Sequence, residues 1–209
     1  MKHARDNGQD GCELFLVRHA RTAWNAQKMM QGHRDVPLDE EGQRMAQALA
    51  QSPLLTDVQV IYSSDLSRAW QTAEPLAQRL GLKVNLDQRL REGRWGVPHP
   101  SNVYHMLPFP VEAENQQLLA ERVRQCMSEI VRDNPGKRVL VMTHGGPIRH
   151  TLAATLGEDR AKEVQPTGAT MNTAICHLSY ANGKWSVKRL FDCDHLIAAG
   201  IELVEHDAG

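Results

Sequence analysis

The chain has 209 residues, 41% of them hydrophobic and 23% charged, which is an ordinary globular composition rather than a disordered or fibrous one. The 24 basic and 25 acidic residues leave a formal net charge of −1, so bulk electrostatics favours neither nucleic acid nor an anionic membrane as a partner. No run approaches the roughly 18 apolar residues of a membrane-spanning helix.

The beginning of the chain and the cysteines both suggest a cytoplasmic protein. Residues 1–12 are predicted to be a frayed tail, and residues 13–209 a single domain. The tail has no apolar stretch ahead of a cleavage site, as a secretory signal would. The 4 cysteines form no CxxC pair, so we expect reduced thiols or small core residues.

The first half of the domain alternates short apolar runs with amphipathic segments. The run at 13–17 ends abruptly in Arg18-His19, as a buried parallel strand would. The predicted elements are a strand at 13–17, a helix N-capped by Asp39, a strand at 58–62, a loop and cap at 63–65, a helix from about 67 to 80 closed by Gly81, and a strand at 82–86.

The second half begins with a proline-rich stretch and then resumes the alternation. The predicted elements are a long surface loop at 93–110, a helix at 112–132, a strand at 137–143, a helix from about 148, and a hairpin of strands at 171–180 and 184–191. Strands that alternate with helices predict an α/β fold. We expect a three-layer α/β/α sandwich with a mostly parallel central sheet and an antiparallel edge.

Unusual residues follow three of the predicted strands: Arg18-His19, the segment 63–68 with Arg68, and the segment 143–146 with His144. In such a sheet, ligands bind beyond the carboxyl ends of the strands. Arginines supply fixed charge and forked donors, and a neutral imidazole supplies a nucleophilic nitrogen near pH 7. Two arginines and two histidines at one edge therefore predict a site for a phosphate dianion.

Five blocks in this order make the sequence resemble the histidine phosphatase superfamily, in the branch that includes cofactor-dependent phosphoglycerate mutases and their phosphatase relatives. The blocks are LVRHARTAWN at 16–25, QGHRDVPL at 31–38, YSSDLSRAWQTA at 62–73, LRE at 90–92 and THGG at 143–146. A single RH pair would be weak support, but five ordered blocks are specific. The resemblance implies a phosphoglycerate mutase-like fold.

The resemblance also implies a role for each matching residue. His19 would be the nucleophile, and Glu92 would protonate the leaving alkoxide and then activate water. The phosphoryl oxygens would be held by Arg18, Arg68, Asn25 and His144, the last as an imidazolium. Phosphoryl transfer needs charge stabilisation and an in-line nucleophile above all, so these residue types fit that chemistry without a metal.

Three features depart from the family pattern or lie where it is weakest. Ala20 replaces the glycine that follows RH, which the chain tolerates unless φ is positive there. Arg21 is a further basic residue that either favours a more anionic substrate or faces solvent. In the loop, His99 and His105 are candidates for substrate contacts, and the alternative is that their side chains are solvated. The LREG sequence followed by prolines resembles the branch of mitochondrial-type protein Ser/Thr phosphatases.

The leading hypothesis is a metal-independent phosphomonoester phosphatase that acts through a phosphohistidine and needs no cofactor. One alternative is a 2,3-bisphosphoglycerate-dependent mutase, although mutases carry a longer, basic segment where this chain has 51 residues between Glu92 and His144. Another is a non-catalytic phosphate-binding or scaffolding protein. No HxxxH or HxH spacing predicts a metal site. The expected partner is a small phosphorylated substrate or a phosphoprotein, with monomer or homodimer left open.

Overall fold

The computed structural model describes residues 11–94, 114–164 and 170–203, and a six-stranded sheet lies at its centre. The strands are β1 (Cys12–Arg18), β2 (Val60–Ser63), β3 (Val84–Leu86), β4 (Arg138–Thr143), β5 (Ile175–Ala181) and β6 (Lys184–Asp192). The helices are α1 (Ala23–Ala26), α2 (Glu40–Ala50), α3 (Ser67–Leu80), α4 (Gln116–Asp133), α5 (Gly145–Leu156), α6 (Glu158–Val164) and α7 (Asp194–Ala198).

The strand order is β3-β2-β4-β1-β5-β6, which confirms the predicted α/β fold. The first four strands in this order are parallel, and β5 and β6 form an antiparallel edge. The hairpin turns at Asn182 and Gly183, both with positive φ (52° and 75°), as a two-residue turn that matches strand twist requires.

Helices cover both faces of the sheet, so the central strands are apolar on both sides. Leu14 and Leu16 of β1 pack in a cluster with residues of α4 and α5, whereas Phe15 and Val17 pack with residues of α2 and α3. Successive strand residues point to opposite faces, which is why a continuous apolar run was the right signal for these strands.

Several element boundaries differ from those predicted. Cys12, assigned to the tail, is the buried first residue of β1. The helix predicted at 112–132 begins at Gln116, because the Asn115 side chain accepts the Leu118 N–H at 2.8 Å and caps it there. The helix predicted from about 148 begins at Gly145.

The segments at 58–59 and 171–174 lie outside the strands predicted to include them. The chain turns through Thr173 at φ 60° before β5 begins. The short helices α1, α6 and α7 were not predicted. The 4 cysteines of the chain are free and buried. No helix in the described part of the chain is long and apolar enough to cross a membrane, and the cytoplasmic location stays a prediction.

Candidate active site

Three neighbouring parallel strands end side by side and bring the predicted site residues together. Arg18 is paired in register with Thr143 of β4, and Ser63 of β2 with Met142. The residues that follow these strand ends therefore meet at one edge of the sheet, where α/β proteins bind ligands. The rings of His19 and His144 lie 5.1 Å apart between centroids, with their planes inclined at 59°.

His19 is buried and oriented by a backbone hydrogen bond. Its Nδ1 lies 2.7 Å from the carbonyl oxygen of Ala20. Because a carbonyl only accepts, Nδ1 carries the proton and Nε2 keeps its lone pair. Burial first, and then the charges of Arg68 and Arg18, hold the pKa of His19 well below 6.5. The ring is therefore a neutral imidazole with Nε2 as its nucleophilic nitrogen.

The backbone around His19 is held by two side chains that sequence analysis did not single out. The Ala20 N–H donates to Oγ1 of Thr72 at 2.9 Å, and Nδ2 of Asn172 donates to the His19 carbonyl at 2.8 Å. Ala20 does not have a positive φ, so its methyl group causes no backbone strain. Thr72 lies in the YSSDLSRAWQTA block, but no local signal placed Asn172, 153 residues away, against His19.

Arg68 lies in the first turn of α3 and is 1% exposed. Its Nη1 donates to the Arg34 carbonyl at 2.7 Å and its Nη2 to the Gly32 carbonyl at 2.8 Å, so the QGHRDVPL block orients the guanidinium. Burial lowers the pKa of Arg68 to about 10, although the charges of Glu92 and Asp35 oppose this. Arg68 therefore stays charged near neutral pH. Arg18 is also buried, and its guanidinium donates to the Thr170 carbonyl.

His144 is fully buried, with Nε2 2.9 Å from Oγ of Ser64. Its pKa is lowered well below 6.5 by burial and by the charges of Arg68, His19 and Arg18. His144 is therefore neutral when no ligand is bound, and the imidazolium expected beside a bound phosphate dianion stays a prediction. Its Nδ1 has no hydrogen-bond partner among the described residues.

Glu92 follows a short 3₁₀ turn (Gln88–Leu90) and is 5% exposed. Its Oε1 accepts the Gly93 N–H at 2.8 Å, and both carboxylate oxygens lie 3.2 Å from the Gly146 nitrogen in the first turn of α5. A side chain at Gly146 would occupy this space, because a Cβ there would lie 2.2 Å from Oε1 of Glu92. The LRE and THGG blocks thus meet at this carboxylate.

Asn25 lies in α1, a single helical turn, and is buried. Its Oδ1 accepts from the N–H and the hydroxyl of Thr22, both at 3.1 Å, and forms a capping box with that residue. Its Nδ2 is buried and has no partner among the described residues. A buried amide without a partner is costly, so Nδ2 is a candidate donor to a ligand.

Arg21, the remaining candidate within the described part of the chain, pairs with a residue outside this group. Arg21 donates through Nε to Asp39 at 2.9 Å, at the N-terminus of α2. In the loop and cap predicted at 63–65, Asp65 forms an ion pair with Arg91 at 2.5 Å. The Ser67 N–H at the start of α3 donates instead to Asp35, at 2.6 Å. His99 and His105 lie outside the described residues. The described ranges contain no group of three or more His, Cys, Asp or Glu arranged to hold a metal ion.

Two buried arginines beside a neutral, oriented imidazole at the strand ends of an α/β/α sandwich define the class of this protein as an enzyme of phosphoryl transfer. The family follows from comparison with known sequences. The family model of the histidine phosphatase superfamily (branch 1) matches residues 14–193, and the chain belongs to this family.

Relatives carry both mutase and phosphatase names. The chain is 30% identical over 212 residues to phosphoglycerate mutase-like protein 4 of Arabidopsis thaliana, covering 91% of this chain and 90% of that protein. It is 31% identical over 214 residues to a probable phosphoglycerate mutase of Escherichia coli, covering 91% and 97%. The solved structure of a mycobacterial glucosyl-3-phosphoglycerate phosphatase matches with a TM-score of 0.73 and 27% identity, covering 88% and 100%.

Proposed function

We propose that this enzyme is a metal-independent phosphomonoester phosphatase that acts through a phosphohistidine on His19. The observation that carries the proposal is the hydrogen bond from Nδ1 of His19 to the Ala20 carbonyl at 2.7 Å, which leaves Nε2 free to attack. Burial keeps the pKa of this ring low, so the lone pair on Nε2 is available near neutral pH.

In the first step, Nε2 of His19 attacks phosphorus. The N–P bond forms as the P–O bond to the leaving group breaks, and the leaving oxygen takes both electrons of that bond and a proton from Glu92. The imidazole ring gains positive charge in this step. The Ala20 carbonyl, which accepts a hydrogen bond from Nδ1–H, stabilises that charge.

In the second step, water attacks phosphorus and gives its proton to the Glu92 carboxylate. The N–P bond breaks, and its electron pair returns to Nε2 of His19. Inorganic phosphate leaves, and the protonated Glu92 and neutral His19 are ready for another substrate. Glu92 therefore acts first as an acid and then as a base, as a positioned carboxyl can.

The pocket supplies charge for the phosphoryl group without a metal. Arg18 and Arg68 are buried guanidiniums, and the buried donors or potential donors at Asn25 and His144 add neutral hydrogen bonds. Preorganised donors in a site shielded from water stabilise transition-state charge more strongly than they would in water. The proposed substrate is a phosphorylated small molecule, and a phosphoprotein is the alternative already given by the sequence analysis.

A second candidate function is a 2,3-bisphosphoglycerate-dependent phosphoglycerate mutase. The names of the relatives from Arabidopsis thaliana and Escherichia coli favour it. The same phosphohistidine serves both reactions, and the difference is whether the phosphoryl group passes to water or to a second hydroxyl.

The test is a panel of phosphomonoesters, phosphopeptides and 3-phosphoglycerate, assayed with excess chelator throughout. The proposal expects release of inorganic phosphate that chelator does not reduce. Activity that disappears with chelator and returns with Mg²⁺ or Zn²⁺ would refute metal independence. Conversion of 3-phosphoglycerate to its 2-isomer, dependent on 2,3-bisphosphoglycerate and without phosphate release, would establish the mutase. Phosphate binding without turnover of any of these substrates would refute the proposed phosphatase.

A further inference from the structure

Arg122 of α4 forms hydrogen bonds with the backbone of the turn that precedes and includes Glu92. Its Nη1 donates to the carbonyls of Arg89 at 2.6 Å and Arg91 at 3.0 Å, and its Nη2 lies 3.3 Å from the Glu92 carbonyl. A single guanidinium thus contacts three carbonyls within four consecutive residues. Only the planar fork of an arginine can reach all three at once.

The guanidinium is itself held by Glu114. Nε of Arg122 donates to Oε1 of Glu114 at 2.8 Å, and Nη2 donates to Oε2 at 2.6 Å. The two side chains are 19% and 12% exposed, so water competes little with this bidentate pair. Burial raises the pKa of Glu114, but the hydrogen bonds and charge of Arg122, together with the hydrogen bond from Arg94 and the charge of His33, hold the pKa below its usual value.

Glu114 also binds the chain just beyond Glu92. Its backbone N–H donates to the Arg94 carbonyl at 2.7 Å, and its Oε2 accepts the Arg94 N–H at 3.3 Å. The Glu92 carbonyl has a second support, because Nε2 of His33 lies 2.8 Å from it. The backbone on both sides of Glu92 is therefore held by the side chains of Arg122, Glu114 and His33.

We propose that Arg122, oriented by Glu114, is a positioning residue that holds the Glu92 carboxyl where it can protonate the leaving group. This inference rests on the proposed function, since it requires Glu92 to be the acid. A proton donor must stay within hydrogen-bond reach of the leaving oxygen, and a displacement of about 1 Å can cost on the order of 10²-fold in rate. Because His33 also holds the Glu92 backbone, replacing Arg122 should lower the rate less than replacing Glu92.

The test compares Arg122→Lys with Arg124→Lys. Lysine retains the charge and one contact to Glu114 but cannot span three carbonyls. Arg124 is the matched control, because it lies on the same helix in an ion pair with Glu121 and is 62% exposed. Glu114→Gln is a second variant that removes the ion pair without removing the arginine. Thermal unfolding checks that each variant is folded.

The readout is kcat/KM, measured once with an alkyl phosphate and once with p-nitrophenyl phosphate. The value of kcat/KM reports on the step in which the leaving group departs. An alkoxide needs a proton to leave, whereas p-nitrophenolate does not. For Arg122→Lys we expect a loss on the order of 10–10²-fold with the alkyl phosphate and at most about threefold with p-nitrophenyl phosphate. The Ki of inorganic phosphate should not change, and Arg124→Lys should match the wild type.

A double-mutant cycle with Glu92→Gln separates positioning from general stabilisation. If Arg122 acts through Glu92, Arg122→Lys should cost almost nothing further in the Glu92→Gln background. Equal losses on both substrates, an undiminished loss in that background, or no loss at all would overturn the inference. If Glu92→Gln itself shows no dependence on the leaving group, the acid role proposed for Glu92 fails, and the inference fails with it. If the loss of activity depends on the leaving group in Glu92→Gln but not in Arg122→Lys, only the inference about Arg122 is refuted.

Discussion

Gly146 is the position where one added carbon atom should be felt most directly at the acid. It lies in the first turn of α5 and does not have a positive φ, so alanine is compatible with its backbone. The new Cβ would nevertheless lie 2.2 Å from Oε1 of Glu92 and 3.3 Å from Cδ2 of Leu119. The Leu119 methyl group can move by a few tenths of an ångström, but the Glu92 carboxyl is held on several sides.

The expected change in stability follows from three opposing contributions. Overpacking at a buried site costs about 1–3 kcal/mol. Weakening the hydrogen bond from the Gly146 N–H to a carboxylate adds about 1 kcal/mol, and the better helix propensity of alanine returns at most about 1 kcal/mol. The net cost is about 1–3 kcal/mol. We therefore expect Gly146→Ala to unfold with a Tm roughly 2–12 °C lower, since 1 kcal/mol shifts the Tm of a domain of this size by roughly 2–4 °C.

The cause can be checked by removing the group that the alanine meets. In a Glu92→Ala background, Gly146→Ala should be neutral or slightly stabilising, because only the mild contact with Leu119 then opposes the helix-propensity gain. Thermal unfolding followed by circular dichroism measures both backgrounds, and kcat/KM with an alkyl phosphate should fall in the single variant. If Gly146→Ala has wild-type stability and activity, or if it costs the same with and without Glu92, the contact is not the source of the effect.

Three further predictions concern the pocket and one buried histidine outside it. His19→Ala should abolish turnover while circular dichroism shows a retained fold, and quenching without acid should trap a phosphoryl group on the wild type but not on the variant. Arg68→Ala should lower kcat by on the order of 10²–10³-fold, because it removes a preorganised donor; wild-type kcat would contradict its role. Burial lowers the pKa of His195 from 6.5 to about 4. Between these two pH values the unfolded chain takes up a proton that the folded chain does not, so the free energy of unfolding should fall as the pH drops from 6.5 to 4. Urea unfolding should show a shallower fall for His195→Gln, and an unchanged slope would contradict this.

The sequence alone determined those parts of the protein that are encoded within a few residues. The apolar run before Arg18, the Asp39 cap of α2 and the glycine after α3 each predicted a local structure that the folded protein has. Such features depend on backbone geometry and side-chain period over one turn or one strand. The five blocks likewise indicated the family and the residues that meet at the sheet edge, because the ends of adjacent parallel strands lie together.

Only the tertiary structure decided what surrounds those residues. It placed Asn172 behind His19, Asp35 at the start of α3 and Arg122 against the turn of Glu92, across 153, 32 and 30 positions of the chain. It also decided that both pocket histidines are neutral, since burial dominates their pKa values. Contacts at such separations carry no local periodicity, and desolvation depends on everything packed around a group, so neither can be found before the chain is folded.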